Sequence, residues 1–124
     1  MDAAEITSEF GVIRITDKVL AVIVQKACLS VDGIAAMDMR FNSPLSSRLI
    51  GEDAGGVHIT IHENKASVSV YILAKYGLRI PEIALHAQEC IKEALWREAE
   101  VSVSNVDVYI QGIVFNGESF RERG

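Results

Sequence analysis

The chain has few of the residues that mark disulfide-rich, metal-binding or membrane-spanning proteins. Its 124 residues include only two cysteines and two prolines. Cys28 and Cys90 lie far apart and form no CxxC pair, so a zinc site or a thioredoxin-like site has no support. The most apolar run, residues 19–24, is too short to span a bilayer. We therefore expect a protein of a reducing compartment in which both cysteines are small, partly buried apolar residues.

Basic clusters are scarce as well. Twelve lysines and arginines stand against 17 aspartates and glutamates, which gives a net charge of −5. Because nucleic-acid-binding proteins usually present a basic face, a nucleic-acid partner is disfavoured. The first ten residues are acidic and lack the basic and apolar regions of a signal peptide. We expect no direct insertion into a membrane.

The composition is that of one globular domain. Hydrophobic residues make up 49% of the chain and charged residues 23%. A chain of this length can bury a core without disulfides or metals. We predict a mobile leader over residues 1–10, a single α+β domain over residues 11–115 and a flexible tail over residues 116–124.

The clearest pattern runs from residue 68 to residue 99. Apolar residues alternate with others over residues 67–74, which is typical of a strand with one buried face. Gly77 permits a sharp corner, and Pro81 suits the first turn of a helix. Apolar residues then recur at steps of three and four: Ile80, Ile83, Ala84, Ala87, Ile91, Ala94 and Leu95. The segment predicts a strand, a corner and a long amphipathic helix.

The remaining elements are shorter. A strand over residues 11–16 precedes a helix from Asp17 to about residue 31, with Gly33 as its terminator. A second strand is predicted over residues 34–41, because Met37, Met39 and Phe41 alternate with polar residues. Residues 57–62 form a hairpin with the strand at residues 68–74.

The last strand, from residue 101 onward, changes its alternation at Ser104 and Asn105, which indicates a bulge or a bend. These elements define an α+β fold: a two-layer sandwich of a mainly antiparallel sheet with two amphipathic helices on one face. Residues 42–56 are rich in turn formers. Leu45, Leu49 and Ile50 either dock there on the core or form an exposed apolar contact surface, and both readings stay open.

Residues arranged for catalysis or metal binding are hard to find. His58 and His62 share a strand face but lie about 13 Å apart at roughly 3.3 Å per residue, too far to hold one ion. His86 and Cys90 are one helical turn apart without further ligands. The chain has no GxSxG, GxxxxGK[ST] or GxGxxG motif. We predict no catalytic, cofactor-binding or metal-binding residues, and no enzyme.

The polar face of the predicted sheet is the remaining candidate surface. It would display His58, Thr60, His62, Ser69, Tyr71 and Tyr109. Such a face is either ordinary solvent-exposed sheet or a surface for a partner or a second copy, because tyrosine and histidine tolerate both settings. An alternative function is a small regulatory domain that binds nucleic acid, as KH modules do, or a small-molecule ligand. No two glycines are three residues apart, so the GxxG loop of KH modules is missing.

Several segments, taken in order, resemble a known family. They are GVIRI at residues 11–15, VDGI at residues 31–34, YGLRIPEIA at residues 76–84 and VDVYIQGI at residues 106–113. The ordered set is similar to the alkaline-shock, or envelope stress response, protein family of Gram-positive bacteria, and it covers about residues 11–115.

The resemblance implies a bacterial, cytoplasmic, non-enzymatic protein without a cofactor, which self-associates into a homo-oligomer and binds a protein partner. Some members are tethered beneath the membrane by a small integral-membrane anchor, and others are linked to processes such as fatty-acid synthesis. The family has no agreed catalytic residues, so none is carried over. We expect a cytoplasmic interaction or scaffold protein that reaches the membrane through a partner.

Overall fold

The structure, a computed structural model, describes residues 3–39, 55–115 and 118–121. Its elements, in chain order, are β1 (Ala3–Ser8), β2 (Gly11–Thr16), α1 (Asp17–Leu29), β3 (Ile34–Met37), β4 (Val57–His62), β5 (Lys65–Lys75), α2 (Ile80–Ala99), β6 (Ser102–Phe115) and β7 (Glu118–Arg121). Most of the turn-rich segment at residues 42–56, including Leu45, Leu49 and Ile50, lies outside the described residues.

Strand β5 organises the main sheet. On one side it pairs antiparallel with β4 over residues 65–70 and with β3 over residues 72–74. On the other side it pairs with β6 in parallel, and β6 pairs antiparallel with β7. The parallel pair follows from the β5–α2–β6 crossover, since parallel neighbours need a long connection. A mainly antiparallel sheet is confirmed, with this one parallel pairing among the described strands.

The two helices that the structure describes pack on one face of this sheet and on each other. Leu20 and Val24 of α1, Ile91 and Leu95 of α2 and Val68 of β5 have no exposed surface. Burying such side chains stabilises the fold by about 1.5–3 kcal/mol each. The predicted α+β sandwich is therefore confirmed, and its core lies between the helices and the sheet.

The predicted irregularity at Ser104 and Asn105 is a β-bulge. Val103 pairs with Ala66, and the next pair is Asn105 with Ser67, so Ser104 is the extra residue. The Ser104 hydroxyl donates a hydrogen bond to the Ala66 carbonyl oxygen at 3.0 Å. The bulge turns Asn105 to the side of the sheet away from the helices.

Both ends of the chain depart from expectation. Residues 3–8 form strand β1 and residues 118–121 form strand β7, where we expected a mobile leader and a flexible tail. Strand β1 forms because Ala4 is directed into the core, with 1% of its surface exposed, and because β2 supplies an antiparallel neighbour.

Strand β3 is shorter than predicted and ends at Met37. Asp38 is buried and its N–H donates to the Tyr71 carbonyl oxygen at 2.7 Å, whereas Met39 is 42% exposed. The alternation stops because the regular strand ends at Met37, so Asp38 and Met39 no longer follow the two faces of a strand. Phe41 lies outside the described residues.

Helix α1 also ends earlier, at Leu29, so Gly33 is not its terminator. Gly33 instead has a positive φ of 102° in the turn before β3. A Cβ atom at this position would lie 2.7 Å from the Ile83 side chain of α2. The glycine therefore permits both the turn and the close approach of the second helix.

Candidate protein-binding surface

The face of the main sheet opposite the helices carries the side chains that we predicted for a contact surface. Val57 and Ile59 of β4 point to the core, so their neighbours point away from it. We call this surface the outer sheet face. In the described part of the chain it comprises His58, Thr60, His62, Ser67, Ser69, Tyr71, Asn105, Asp107 and Tyr109.

Two tyrosines form the centre of the outer sheet face. Tyr71 and Tyr109 are direct neighbours in the parallel β5–β6 pair. Their ring centroids lie 4.8 Å apart and their planes differ by 12°, so the rings are stacked. Such a contact contributes about 0.5–1.5 kcal/mol beyond the area it buries. Tyr71 is half-buried and Tyr109 is 43% exposed, so the stacked rings form an aromatic patch that is accessible at the surface.

A polar row lies beside the tyrosine pair. The Ser67 hydroxyl donates to Asn105 Oδ1 at 2.8 Å, and Asn105 Nδ2 donates to Asp107 Oδ2 at 3.4 Å. Asp107 is opposite Ser69, whose other neighbour across the strands is His58. These contacts place an exposed carboxylate next to the aromatic pair.

Within this row, Ser67 and Asp107 follow the alternation of their strands, whereas the alternation did not place Asn105 on the outer sheet face. The change of alternation marked only a bulge there. The sequence does carry a signal for its position. A polar residue that directly follows the extra residue of a bulge is expected on the same face as the polar residues after it.

The structure groups only some of the predicted surface residues. His58, Ser69, Tyr71 and Tyr109 lie in neighbouring positions, whereas Thr60 and His62 lie successively farther along β4 toward its turn. The His62 side chain is 90% exposed, with its Nε2 atom 3.8 Å from a Glu63 carboxylate oxygen. The two histidines therefore do not act on one ligand.

The two cysteines lie in the helical layer, away from this surface. Cys28 is fully buried in α1, and burial, with a smaller contribution from Cys90, raises the pKa of its thiol to about 12. A thiol with such a pKa stays protonated at neutral pH and is a poor nucleophile. Within the described residues, no group of three or more histidine, cysteine or acidic side chains is placed to hold a metal ion.

Neither helix of the described chain is both long enough and apolar enough to cross a membrane. What the structure presents is a small α+β domain with a helical layer on one side and a polar, aromatic sheet surface on the other.

Residues 5–115 match the alkaline shock protein 23 family, which is described as having a cell envelope-related function. The chain belongs to this family, so the resemblance seen in the sequence is confirmed.

Relatives in this family are similar along most of the chain. The uncharacterized protein YqhY of Bacillus subtilis (strain 168) is 28% identical over 110 residues, which cover 88% of this chain and 82% of that protein. A stress response regulator gls24 homolog of Streptococcus pyogenes serotype M3 (strain ATCC BAA-595 / MGAS315) is 26% identical over 105 residues, covering 83% of this chain and 59% of that protein. No solved structure matches the chain significantly.

Proposed function

We propose that this protein is a non-enzymatic, cytoplasmic interaction protein of the envelope stress response, which acts by self-association and by binding a protein partner. The observation that carries the proposal is the stacked Tyr71–Tyr109 pair on the outer sheet face. Membership of a family with a cell envelope-related function, and a relative named as a stress response regulator, support the cellular setting.

The outer sheet face has the chemistry of a protein-binding surface. Tyrosines are enriched at the centres of interfaces because they bury a large area at a small cost in side-chain entropy. The Tyr71–Tyr109 stack is held in place before binding, so little further ordering is needed. Asp107, His58 and Ser69 place hydrogen-bonding groups beside it, as in the polar rim of an interface.

The partner we propose is a small integral-membrane anchor with a segment on the cytoplasmic side. Such a partner would hold this protein at the membrane without a spanning segment of its own. We therefore expect part of the cellular pool to sediment with membranes, and we expect changes on the outer sheet face to release it.

In-cell photocrosslinking tests this proposal directly. A benzophenone amino acid placed at Tyr109 should give a discrete crosslinked product with another protein in the membrane fraction. The matched control carries the same group at Glu89, which is exposed on α2 and lies on the opposite side of the domain. Mass spectrometry of the product identifies the partner.

The outcomes separate clearly. A product at Tyr109 but not at Glu89, together with loss of membrane sedimentation for Tyr109→Asp, supports binding through the outer sheet face. Equal products at both positions would show that proximity, not a specific surface, determines the crosslink. The whole proposal would be contradicted if no protein partner were recovered and light scattering showed a monomer at every concentration.

A further inference from the structure

The hairpin formed by β1 and β2 exposes an apolar strand. Its pairing runs from Ala3 opposite Thr16 to Ser8 opposite Gly11. Phe10 at its tip is 92% exposed, and Val12 and Ile13 of β2 are 62% and 53% exposed. Exposed edge strands with apolar side chains are rare in monomeric proteins, because such edges recruit further strands.

One edge of this hairpin already has a hydrogen-bond partner at Glu5. The Glu5 N–H donates to Asn64 Oδ1 at 3.0 Å, and Asn64 Nδ2 donates to the Glu5 carbonyl oxygen at 2.7 Å. The Asn64 amide thus pairs with β1 much as a strand residue would. These two bonds also show that the N–H and C=O groups of Glu5 point away from β2.

The other edge belongs to β2. Because Glu5 is opposite Arg14, the backbone groups of Arg14, and those of Val12 two residues earlier, point outward from the hairpin. In the described part of the chain, no backbone hydrogen bond joins this edge of β2 to another element. This edge of β2 therefore presents outward backbone N–H and C=O groups, and the side chains of Val12 and Ile13 beside them are exposed.

The order of side chains along β2 suits pairing with itself. In an antiparallel pair of two identical strands, a register centred on Arg14 would set two like charges opposite each other, which is unfavourable. A register centred on Val12 would place Ile13 opposite Gly11, which has no side chain to pack against. A register centred on Ile13 avoids the like-charge pair and sets the exposed Ile13 opposite its own copy, while Gly11 faces Ile15, which already packs against the core.

In this last register the outward groups of Val12 exchange hydrogen bonds with Arg14 of the partner subunit, and the reverse pair does the same. Ile13 then faces Ile13 of the partner subunit in a non-hydrogen-bonded pair, where side chains approach most closely. Each Arg14 also keeps its ion pair with Glu5 of its own hairpin. The contact is isologous, as a two-fold axis requires.

We infer that β2 pairs antiparallel with β2 of a second copy, with Ile13 on the two-fold axis, so that two hairpins form one four-stranded sheet. The inference deepens the self-association named in the proposed function and rests on it. It assigns the contact between copies to the hairpin and leaves the outer sheet face to the protein partner. Since the hairpin is small, we expect an interface at the low end of the range and a dissociation constant on the order of micromolar.

Cysteine crosslinking tests the register. In a Cys90→Ser background, with the buried Cys28 retained, three variants carry a single cysteine at the hairpin: Val12→Cys, Ile13→Cys and Arg14→Cys. Glutathione disulfide serves as the oxidant, and each intermolecular disulfide that forms consumes two thiols and releases two molecules of glutathione. Ile13→Cys should crosslink at least about tenfold faster than the other two, because only that position faces its own copy across the axis.

Sedimentation measures the contact without a crosslink. Ile13→Asp should raise the dissociation constant of the dimer at least about tenfold, by placing two carboxylates together at the axis. Leu85→Asp is the matched control, since Leu85 is 55% exposed on α2, and it should leave the constant unchanged. Circular dichroism confirms that both variants keep the fold.

The opposite results are equally clear. If the three cysteine variants crosslink at the same rate, or if Ile13→Asp dimerises as well as the parent chain, pairing through β2 is overturned while self-association through another surface stands. If the parent chain sediments as a monomer at every concentration, self-association itself fails, and this inference fails with it.

Discussion

Two hairpins of this chain differ in how far the rest of the molecule surrounds them. Strands β4 and β5 join through Glu63 and Asn64, whose φ angles of 52° and 60° are those of the tight turn favoured in hairpins. Strands β1 and β2 also join through two residues, Glu9 and Phe10. The local connection is equally short in both.

Their surroundings differ. Strand β5 has neighbours on both sides and helices over one face, so that Val68 and Val70 have no exposed surface. Among the strands that the structure describes, β2 pairs only with β1, and Val12 and Ile13 remain exposed. A short turn is sufficient to form a hairpin. The hairpin becomes part of a core only when one face of its strands is apolar and further strands or helices pack on it.

We call the β4–β5 hairpin the core hairpin and the β1–β2 hairpin the projecting hairpin. The largest effect should come from truncating a buried side chain of the core hairpin. Ile72 of β5 has no exposed surface, so Ile72→Ala should lower the free energy of unfolding by about 2–5 kcal/mol through lost burial and the remaining cavity. The same truncation at the exposed Ile13 should cost less than about 1 kcal/mol. Urea denaturation of the two variants at a protein concentration where both are monomeric gives the comparison. Equal losses would contradict the division into a core hairpin and a projecting one.

High pH should weaken the helical layer that covers the core hairpin. The pKa of Cys28 is raised from 9.0 to about 12 in the folded chain, mainly by burial. A raised pKa in the folded state means that its contribution to stability is complete below pH 9 and is lost as pH rises toward 12. Within that window the loss should approach about 1.4 kcal/mol per pH unit.

Other groups also titrate in this range, so the slopes must be compared between variants. Unfolding free energies measured in a reducing buffer at several values between pH 9 and pH 11 should fall more steeply for the parent chain than for Cys28→Ala. Cys90→Ser should fall nearly as steeply as the parent chain, because Cys90 makes only the smaller contribution to the raised pKa of Cys28. Identical slopes in all three proteins would show that the Cys28 thiol titrates normally.

A smaller effect should follow from releasing the projecting hairpin at Asn64. Asn64→Gly keeps the positive φ without strain but removes both side-chain hydrogen bonds to Glu5, at a cost of about 1–2 kcal/mol. Hydrogen exchange at the Glu5 amide should accelerate, because its N–H loses the Asn64 acceptor. Unchanged exchange would mean that Ala4 and Ile15 alone anchor the hairpin.

The sequence predicted the core hairpin well and the projecting one poorly for a physical reason. Residues 57–62 and 67–74 alternate between apolar residues and others, because both strands lie against the helical layer. Strand β1 has a single fully buried side chain, Ala4, which leaves too little periodicity to distinguish it from a leader. Its anchor, Asn64, lies in a distant turn, and a side-chain bond between distant segments leaves no local pattern.

The sequence predicted which residues lie on the outer sheet face but not which of them are in contact. Alternation assigned Tyr71 and Tyr109 to the same face, whereas their stacking depends on the parallel β5–β6 register. That register in turn depends on the bulge at Ser104, which shifts β6 by one residue. The sequence located the bulge, and only the paired strands show which residues it brings together.

The smallest effect should come from the ion pair on the projecting hairpin. Glu5 and Arg14 are paired across the two strands, but their side chains are 46% and 66% exposed. An exposed pair of this kind contributes no more than about 0.5 kcal/mol, because solvent screens it and holding two long side chains costs entropy. Glu5→Gln should therefore change the unfolding free energy of the monomer by less than that amount, in low salt and in high salt alike. A loss as large as that of Asn64→Gly would mean that charge, rather than the Asn64 amide and the buried Ala4, holds the hairpin to the domain.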